Sequence, residues 1–160
     1  MKILIVSDTH RCLDDFRKAA KKTAPLDLVI HCGDCEGTED YFGNIAGCPV
    51  EIVAGNNDFF SDLPQEREFF LGRYKVWVIH GHRYNVTFED KRIRKEARSR
   101  NIDILMYGHT HMPVVDIGPD LIAINPGSLS YPRQNGRHRS FIIMELAKDG
   151  EAHFTINYLT

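Results

Sequence analysis

The sequence predicts an α/β fold of four layers, an αββα sandwich in which two mixed β-sheets pack together and helices flank them. Three observations support this prediction. In the first half, short apolar runs alternate with helix-like stretches, a rhythm typical of parallel strands joined by crossover helices. The second half has pairs of strand-like runs around turn residues, which favours antiparallel pairing. The 160 residues contain no linker or repeat, so we expect one domain over 1–160.

The first half is predicted to hold three strands and two helices. Ile3–Val6, Leu28–Cys32 and Val50–Ala54 are short apolar runs of the length and composition typical of buried strands. Asp14–Lys22 has apolar residues on one side and charges around them, which indicates a helix packed on a sheet. Thr38–Ala46 indicates a second, shorter helix. These elements together favour parallel strands connected by helices.

The second half is predicted to be richer in antiparallel pairs. Three hairpins are expected: Arg67–Leu71 with Lys75–Ile79, Val114–Asp116 with Leu121–Ile124, and Ser140–Leu146 with Ala152–Tyr158. The run Ile104–Tyr107 adds a strand, and Phe88–Arg100 predicts a helix between the groups of strands.

Composition excludes several classes of function. The formal net charge of −2 and the pI of about 6.4 argue against general nucleic-acid binding through a basic surface. No apolar stretch approaches the length of a membrane span, so no membrane partner is expected. The four cysteines, Cys12, Cys32, Cys35 and Cys48, form no disulfide-type pattern. This usage favours a reducing, cytoplasmic location.

Five strand-like runs end in clusters of Asp, Asn and His. Because the carboxyl ends of parallel strands meet at one edge of a sheet, these clusters are expected to form one site. The residues of that pattern are Asp8 and His10, Asp34, Asn56, His80, and His109 with His111. Residues two apart at a strand end face the same side, so Asp8 and His10 can both reach one ion, and His109 and His111 are again two apart.

These seven side chains offer oxygen and nitrogen ligands without thiolate. Such a mixture suits Mn, Fe, Co, Ni or Zn better than Mg or Ca. Seven ligands are too many for one tetrahedral zinc but fit two ions that share a carboxylate, for which Asp34 is available. Paired ions about 3.5–4 Å apart are a common device for in-line attack at phosphorus. The ligand set therefore predicts two divalent transition-metal ions, with Mn²⁺, Ni²⁺, Fe²⁺, Co²⁺ and Zn²⁺ all suitable.

The ordered motifs resemble the calcineurin-like metallophosphoesterase superfamily, in particular its small bacterial and archaeal phosphodiesterases. The motifs are Asp8-Thr9-His10, Gly33-Asp34, Gly55-Asn56-Asn57-Asp58, His80-Gly81-His82 and Gly108-His109-Thr110-His111, with Asn125-Pro126-Gly127-Ser128 and Pro132-Arg133 also similar. The resemblance implies a dinuclear centre, with Mn²⁺ as the expected metal. One ion would take Asp8, His10, Asp34 and His111, and the other would take Asp34, Asn56, His80 and His109.

The resemblance implies a phosphodiesterase in which a metal-bridging hydroxide attacks a small phosphodiester substrate. Two alternatives stay open, a nucleotide or phosphomonoester hydrolase and a protein-binding scaffold, because the superfamily includes a retromer subunit that uses the fold for protein contacts. The complete ligand set favours an enzyme. A homo-oligomer is also possible, since Phe59 and Phe60 could form either a dimer face or a pocket wall.

One departure from the family pattern bears on catalysis. Asn57 stands where many members have a histidine that acts on the leaving group, and asparagine cannot be a general acid at neutral pH. Protonation would then come from His82, a metal-bound water or solvent, so good leaving groups such as aryl oxides should be preferred. Asn57 and His82 are the candidate catalytic positions. Arg11 and Arg133 are candidates to hold phosphate oxygens, although a plain surface role fits each equally well.

Overall fold

The computed structural model describes residues 1–160 and confirms the predicted four-layer αββα sandwich. In chain order the elements are β1 Lys2–Val6, α1 Leu13–Thr23, β2 Leu28–His31, α2 Glu39–Ala46, β3 Val50–Ile52, β4 Glu66–Leu71, β5 Tyr74–Ile79, α3 Lys91–Ser99, β6 Ile104–Met106, β7 Pro113–Ile117, β8 Ile122–Pro126, β9 Ser140–Leu146 and β10 Ala152–Tyr158. A short 3₁₀ turn over His82–Tyr84 follows β5.

Each sheet contains three parallel neighbours. The first sheet has the order β10-β9-β1-β2-β3, in which β1, β2 and β3 run parallel, β9 is antiparallel to β1, and the edge strand β10 is antiparallel to β9. The second sheet has the order β4-β5-β6-β8-β7, in which β5, β6 and β8 run parallel and the edge strands β4 and β7 are antiparallel. The carboxyl ends of the parallel strands therefore point toward one end of the sandwich.

Alternation along β1 explains the layering. Ile3 and Ile5 pack between the two sheets, whereas Leu4 and Val6 face the layer that contains α1 and α2. Successive strand residues point to opposite faces, so a strand covered on both sides is apolar throughout. On the other side of the molecule, α3 packs against the buried Trp77 of β5.

Some predicted boundaries were wrong. The third helix begins at Lys91 rather than at Phe88, because the backbone N–H groups of Phe88 and Glu89 both donate to the Asn85 carbonyl in a turn. β2 and β3 end one and two residues earlier than predicted, at His31 and Ile52, because the chain then turns into the loops of the polar clusters.

The sequence did not assign the C-terminal hairpin β9–β10 to a sheet. In the structure it extends the first sheet beside β1, with Ile142 opposite Ile5 and Met144 opposite Ile3. None of the helices has the length and apolar character that a membrane span requires.

Candidate metal centre

All seven predicted ligands converge at the carboxyl ends of the strands, between the two sheets. The loops after β1, β2 and β3 supply four of them from the first sheet, and those after β5 and β6 supply three from the second. These residues are Asp8, His10, Asp34 and Asn56 from the first sheet, and His80, His109 and His111 from the second. The site therefore depends on the packing of one sheet against the other.

Asp8 lies at the middle of the cluster and is fully buried. Its Oδ2 accepts two hydrogen bonds, but its Oδ1 has no well-oriented hydrogen-bond donor. The Nε2 atom of His111 lies 3.0 Å from this Oδ1, and those of His10 and His80 each lie 3.8 Å away. A buried carboxylate oxygen without a donor costs free energy. Three imidazole nitrogens around it make a cation the natural partner.

Hydrogen bonds made by the Nδ1 atoms of three histidines orient these rings so that their Nε2 atoms face Asp8 Oδ1. In each ring Nδ1 lies 2.6–2.7 Å from an acceptor oxygen and donates its proton there, so Nε2 is the atom presented to the centre. The pairs are His80 with the Cys32 carbonyl, His111 with the Tyr131 carbonyl, and His10 with the Glu36 carboxylate. Supporting oxygens of this kind fix the tautomer of metal-ligating histidines in proteins.

Asp34 lies between the two halves of the cluster. Its Oδ2 is 3.4 Å from Nε2 of His80 and 4.0 Å from Nε2 of His10. Asn57 holds the carboxylate from the other side, with its backbone N–H donating to Oδ1 at 2.8 Å and its Nδ2 donating to Oδ2 at 2.7 Å. Asp34 is thereby fixed where a carboxylate shared by two ions would have to be.

The second group of ligands forms around His80. Its Nε2 lies 3.0 Å from Oδ1 of Asn56 and 3.3 Å from Nδ1 of His109, so His109 presents Nδ1 rather than Nε2. Two sets of ligand atoms have mutual distances within 4.8 Å, Asp8 with His10 and His111, and Asp8 with Asp34 and His80. Asp8 thus belongs to both sets of ligand atoms, whereas the family pattern assigns it to one ion only.

The electrostatics of the cluster favour positive charge at its middle. Burial alone would lower the pKa of His80, but the carboxylates of Asp8 and Asp34 outweigh it and raise that pKa to about 9. Burial would raise the pKa of Asp34, yet hydrogen bonds and charge from His80 together with two hydrogen bonds from Asn57 hold it well below its usual range. Burial and the neighbouring His80 lower the pKa of His109 to about 4.

Five of the seven candidate ligands have a left-handed backbone. Their φ angles are 52° at Asp8, 43° at His10, 60° at Asp34, 68° at His109 and 58° at His111. A non-glycine residue in this region costs roughly 1–2 kcal/mol, and such residues concentrate at functional sites. The chain therefore bends sharply after β1, β2 and β6, which brings these side chains together.

Glycines in the motifs let the loops close around the carboxylates. A Cβ at Gly55 would overlap the Asp34 carboxylate, and one at Gly108 would overlap the Ser7 hydroxyl and come within 2.9 Å of Asp8 Oδ2. Only glycine allows so close an approach of backbone to ligand.

Asp58 supports the site in a way that the sequence interpretation did not assign. Its Oδ2 accepts from the backbone N–H groups of Asp34 at 2.8 Å and Gly55 at 2.7 Å, and its Oδ1 accepts from that of Glu36 at 2.7 Å. One buried carboxylate thereby joins the loops after β2 and β3. Its place in the Gly-Asn-x-Asp motif was the available signal.

The Asn-Pro-Gly-Ser motif supports the loops after β1 and β6. The hydroxyls of Ser128 and Ser130 donate to the Asp8 carbonyl at 2.7 and 2.8 Å. The buried Asn125 donates through Nδ2 to the Gly108 carbonyl at 2.9 Å. The motif thus acts through the backbone that carries two ligands, and not as a ligand itself.

The remaining predicted residues lie around the cluster. The His82 ring is 5.5 Å from that of His80 and 6.1 Å from that of His109, with a buried Nδ1 that has no partner and a pKa lowered mainly by burial. Arg133 lines the cleft of about 430 Å³ over the ligands. Arg11 is mostly exposed, and its Nε lies 3.6 Å from Glu36.

Two exposed aromatic side chains lie beyond Asn57. Phe59 and Phe60 line a neighbouring cleft of about 270 Å³ together with Arg11. They are therefore a wall of a cleft, one of the two roles expected for them. A dimer face at the same residues stays a prediction.

Residues 1–149 match the family model of the calcineurin-like phosphoesterase superfamily domain. The chain belongs to that superfamily. It is 33% identical over 150 residues to a probable metallophosphoesterase of Bacillus subtilis, covering 93% of this chain and 86% of the relative. It is 31% identical over 145 residues to a phosphodiesterase of Methanocaldococcus jannaschii, covering 79% and 83%. A Vps29 single mutant from Entamoeba histolytica has the same fold, with a TM-score of 0.78, 21% identity and complete coverage of both chains.

Membership in the calcineurin-like superfamily confirms the resemblance seen in the sequence. It identifies the chain as a metal-dependent phosphoester hydrolase by family, and the buried Asp and His groups are able to bind metal. The Vps29 likeness concerns the fold alone.

The left-handed backbone at His109 predicts a stability difference between two variants. His109→Gly and His109→Ala both remove the imidazole, but only alanine keeps the unfavourable φ of 68°. We expect the metal-free glycine variant to be more stable by about 1 kcal/mol, measured as the free energy of unfolding in urea. His153→Gly and His153→Ala, in β10, provide the control and should show the opposite order. Equal stabilities at position 109 would contradict the assignment of backbone strain.

Proposed function

We propose that this protein is a metal-dependent phosphodiesterase that uses two divalent ions held by the seven clustered side chains. The observation that carries the proposal is the buried Asp8 Oδ1, which lacks a donor and faces the Nε2 atoms of three histidines. The relative named as a phosphodiesterase, which this chain matches at 31% identity, supports the diester preference.

The ligand set fits a pair of transition-metal ions. Two carboxylates, one amide oxygen and four imidazoles suit Mn²⁺, Ni²⁺, Fe²⁺, Co²⁺ or Zn²⁺ better than Mg²⁺ or Ca²⁺, and we propose Mn²⁺ among them. When bound, such ions supply a hydroxide nucleophile at neutral pH and offset the charge that develops on phosphoryl oxygens. Two divalent ions and two aspartates leave a charge of +2, which a hydroxide and a singly charged diester would neutralise.

The protein's own groups orient the reaction. Carbonyl and carboxylate oxygens fix the rings of His10, His80 and His111 before substrate arrives, so little reorganisation is needed. Arg133 at the rim of the cleft is available to bind a phosphate oxygen of the substrate. The oriented ligand atoms would set the scissile phosphorus atom in line for attack.

The assignment of Asn57 follows from its contacts. Its amide already donates to Asp34 Oδ2, so we assign it the role of holding the shared carboxylate rather than of protonating the leaving oxygen. His82 lies next to His80 and His109. Because burial lowers its pKa and keeps the imidazole mostly neutral at neutral pH, we propose that it relays a proton to the leaving group through water rather than acting as a strong direct acid. The absence of a direct donor favours diesters with good leaving groups.

Two other functions are less well supported. A phosphomonoester or nucleotide hydrolase would use the same ligands. However, a basic leaving group needs a proton donor most, and position 57 has no histidine to donate the proton. A protein-binding scaffold is suggested by the Vps29 fold. The complete set of buried and oriented ligands speaks for catalysis, because backbone strain of this kind concentrates at active sites and ligand sites.

The first prediction of this proposal concerns Asp34. With Mn²⁺, the protein should hydrolyse bis(p-nitrophenyl) phosphate faster than p-nitrophenyl phosphate. Asp34→Ala should lower kcat/KM by about 10³-fold or more, and His10→Ala by less, because a shared carboxylate serves both ions. The exposed Asp14→Ala on α1 is the control and should change nothing. Equal losses in the two variants would contradict the shared-ligand assignment, and turnover unaffected by chelation would overturn the function.

The second prediction concerns the leaving group. Without a direct acid, aryl diesters should react about 10²–10⁴-fold faster than alkyl diesters, and a rate series against leaving-group pKa measures this dependence. Asn57→His should make the rate depend less steeply on the leaving-group pKa, whereas Asn57→Ala should not. The comparison distinguishes the effect of proton donation from the effect of losing the contact with Asp34. A shallow dependence in the native enzyme would show that another residue donates the proton directly.

A further inference from the structure

A third cleft, which also lies beside the metal centre, has basic walls. It encloses about 450 Å³ and is lined by Ser130, Tyr131, Pro132, Arg133, Arg137 and Arg139. Tyr131 and Arg133 also line the 430 Å³ cleft over the metal ligands. The two clefts are therefore adjoining parts of one depression, within the size range of small-molecule sites.

The arginines of this third cleft have few carboxylate partners. Arg133 and Arg137 make no ion pair with a carboxylate within 4.0 Å, and Arg139 pairs with Asp15 alone, at 2.9 Å. No acidic side chain lines the cleft. Because guanidinium groups bind phosphate through paired hydrogen bonds, three of them around one open space favour an anionic ligand. The whole chain has a net charge of −2, so the positive charge is a local feature of this cleft and not of the surface as a whole.

The loop that carries these arginines is attached to the metal centre. The backbone N–H of Arg133 donates to the His111 carbonyl at 3.0 Å, and the Tyr131 carbonyl accepts from His111 Nδ1 at 2.6 Å. A turn in which Arg137 N–H donates to the Gln134 carbonyl at 3.0 Å closes the loop. The basic cleft thus has a fixed position relative to the ligands, as a specificity subsite requires.

We propose that this arginine cleft binds a second phosphate group of the substrate. The inference rests on the proposed phosphodiesterase function and narrows its substrate class. The preferred substrate is a phosphodiester that carries a further phosphate, separated from the scissile phosphorus by a spacer such as a sugar. The metal centre holds the scissile group while Arg133, Arg137 and Arg139 hold the other.

Matched substrates test this inference. Thymidine 5′-(p-nitrophenyl phosphate) is compared with the same compound bearing a 3′-phosphate, and thymidine 3′-(p-nitrophenyl phosphate) with its 5′-phosphorylated form. With the Mn²⁺-loaded protein, the added phosphate should raise kcat/KM by about tenfold or more in at least one pair. In Arg137→Gln and in Arg133→Gln this ratio should fall to about one. Raising the salt concentration should also lower it, because exposed charges are screened.

The control variant is Arg73→Gln, which changes an exposed arginine in the turn between β4 and β5, at the end of β5 away from the ligands. It should keep the full ratio. Equal kcat/KM values within both pairs in the native protein would overturn the second-phosphate site and leave the diesterase intact. A preference that survives both Arg137→Gln and Arg133→Gln would overturn its placement in this cleft. Failure to cleave either unphosphorylated diester in the presence of metal would contradict the proposed function itself.

Discussion

Two buried carboxylates that face imidazole nitrogens are the constraint on which the rest of this structure depends. Removing Asp8 and Asp34 from water costs several kcal/mol per ion unless charge and hydrogen bonds compensate for it. The surroundings supply part of that compensation through Asn57, Ser7 and the backbone of His109. They leave Asp8 Oδ1 without a donor, and the cations that we propose for this site would complete the balance.

The fold is arranged around that requirement. Parallel strands in both sheets direct their carboxyl ends toward one region, and the loops that follow bend through left-handed conformations at five ligands. Asp58 joins two loops of the first sheet, while the Asn125 motif joins the Asp8 loop to the loop after β6 in the second sheet. Strain at the ligands is thus balanced by buried hydrogen bonds behind them, a division common at active sites.

Sequence patterns predicted the layers and the convergence of the seven candidate ligands because both arise from local periodicity. Apolar runs define strands, and polar residues directly after them, such as Asp34 and His80, must lie at the strand ends. Contacts between distant segments had no such signal: the carbonyl of Tyr131 that orients His111, the pairing of Glu36 with His10, and the position of β9 beside β1. The start of α3 was misjudged because Phe88 continues the helical pattern while a turn at Asn85 interrupts it.

The most direct test of the account is the number of Mn²⁺ ions that bind to the metal-free chain, measured by isothermal titration calorimetry together with anomalous diffraction from the loaded crystal. The account predicts two ions per chain, on either side of Asp34 and next to Asp8. Binding should weaken as the pH falls, because the imidazole ligands must lose their protons to coordinate. A single ion, or none, in protein whose ligands are intact would contradict the central claim that this cluster is a dinuclear centre.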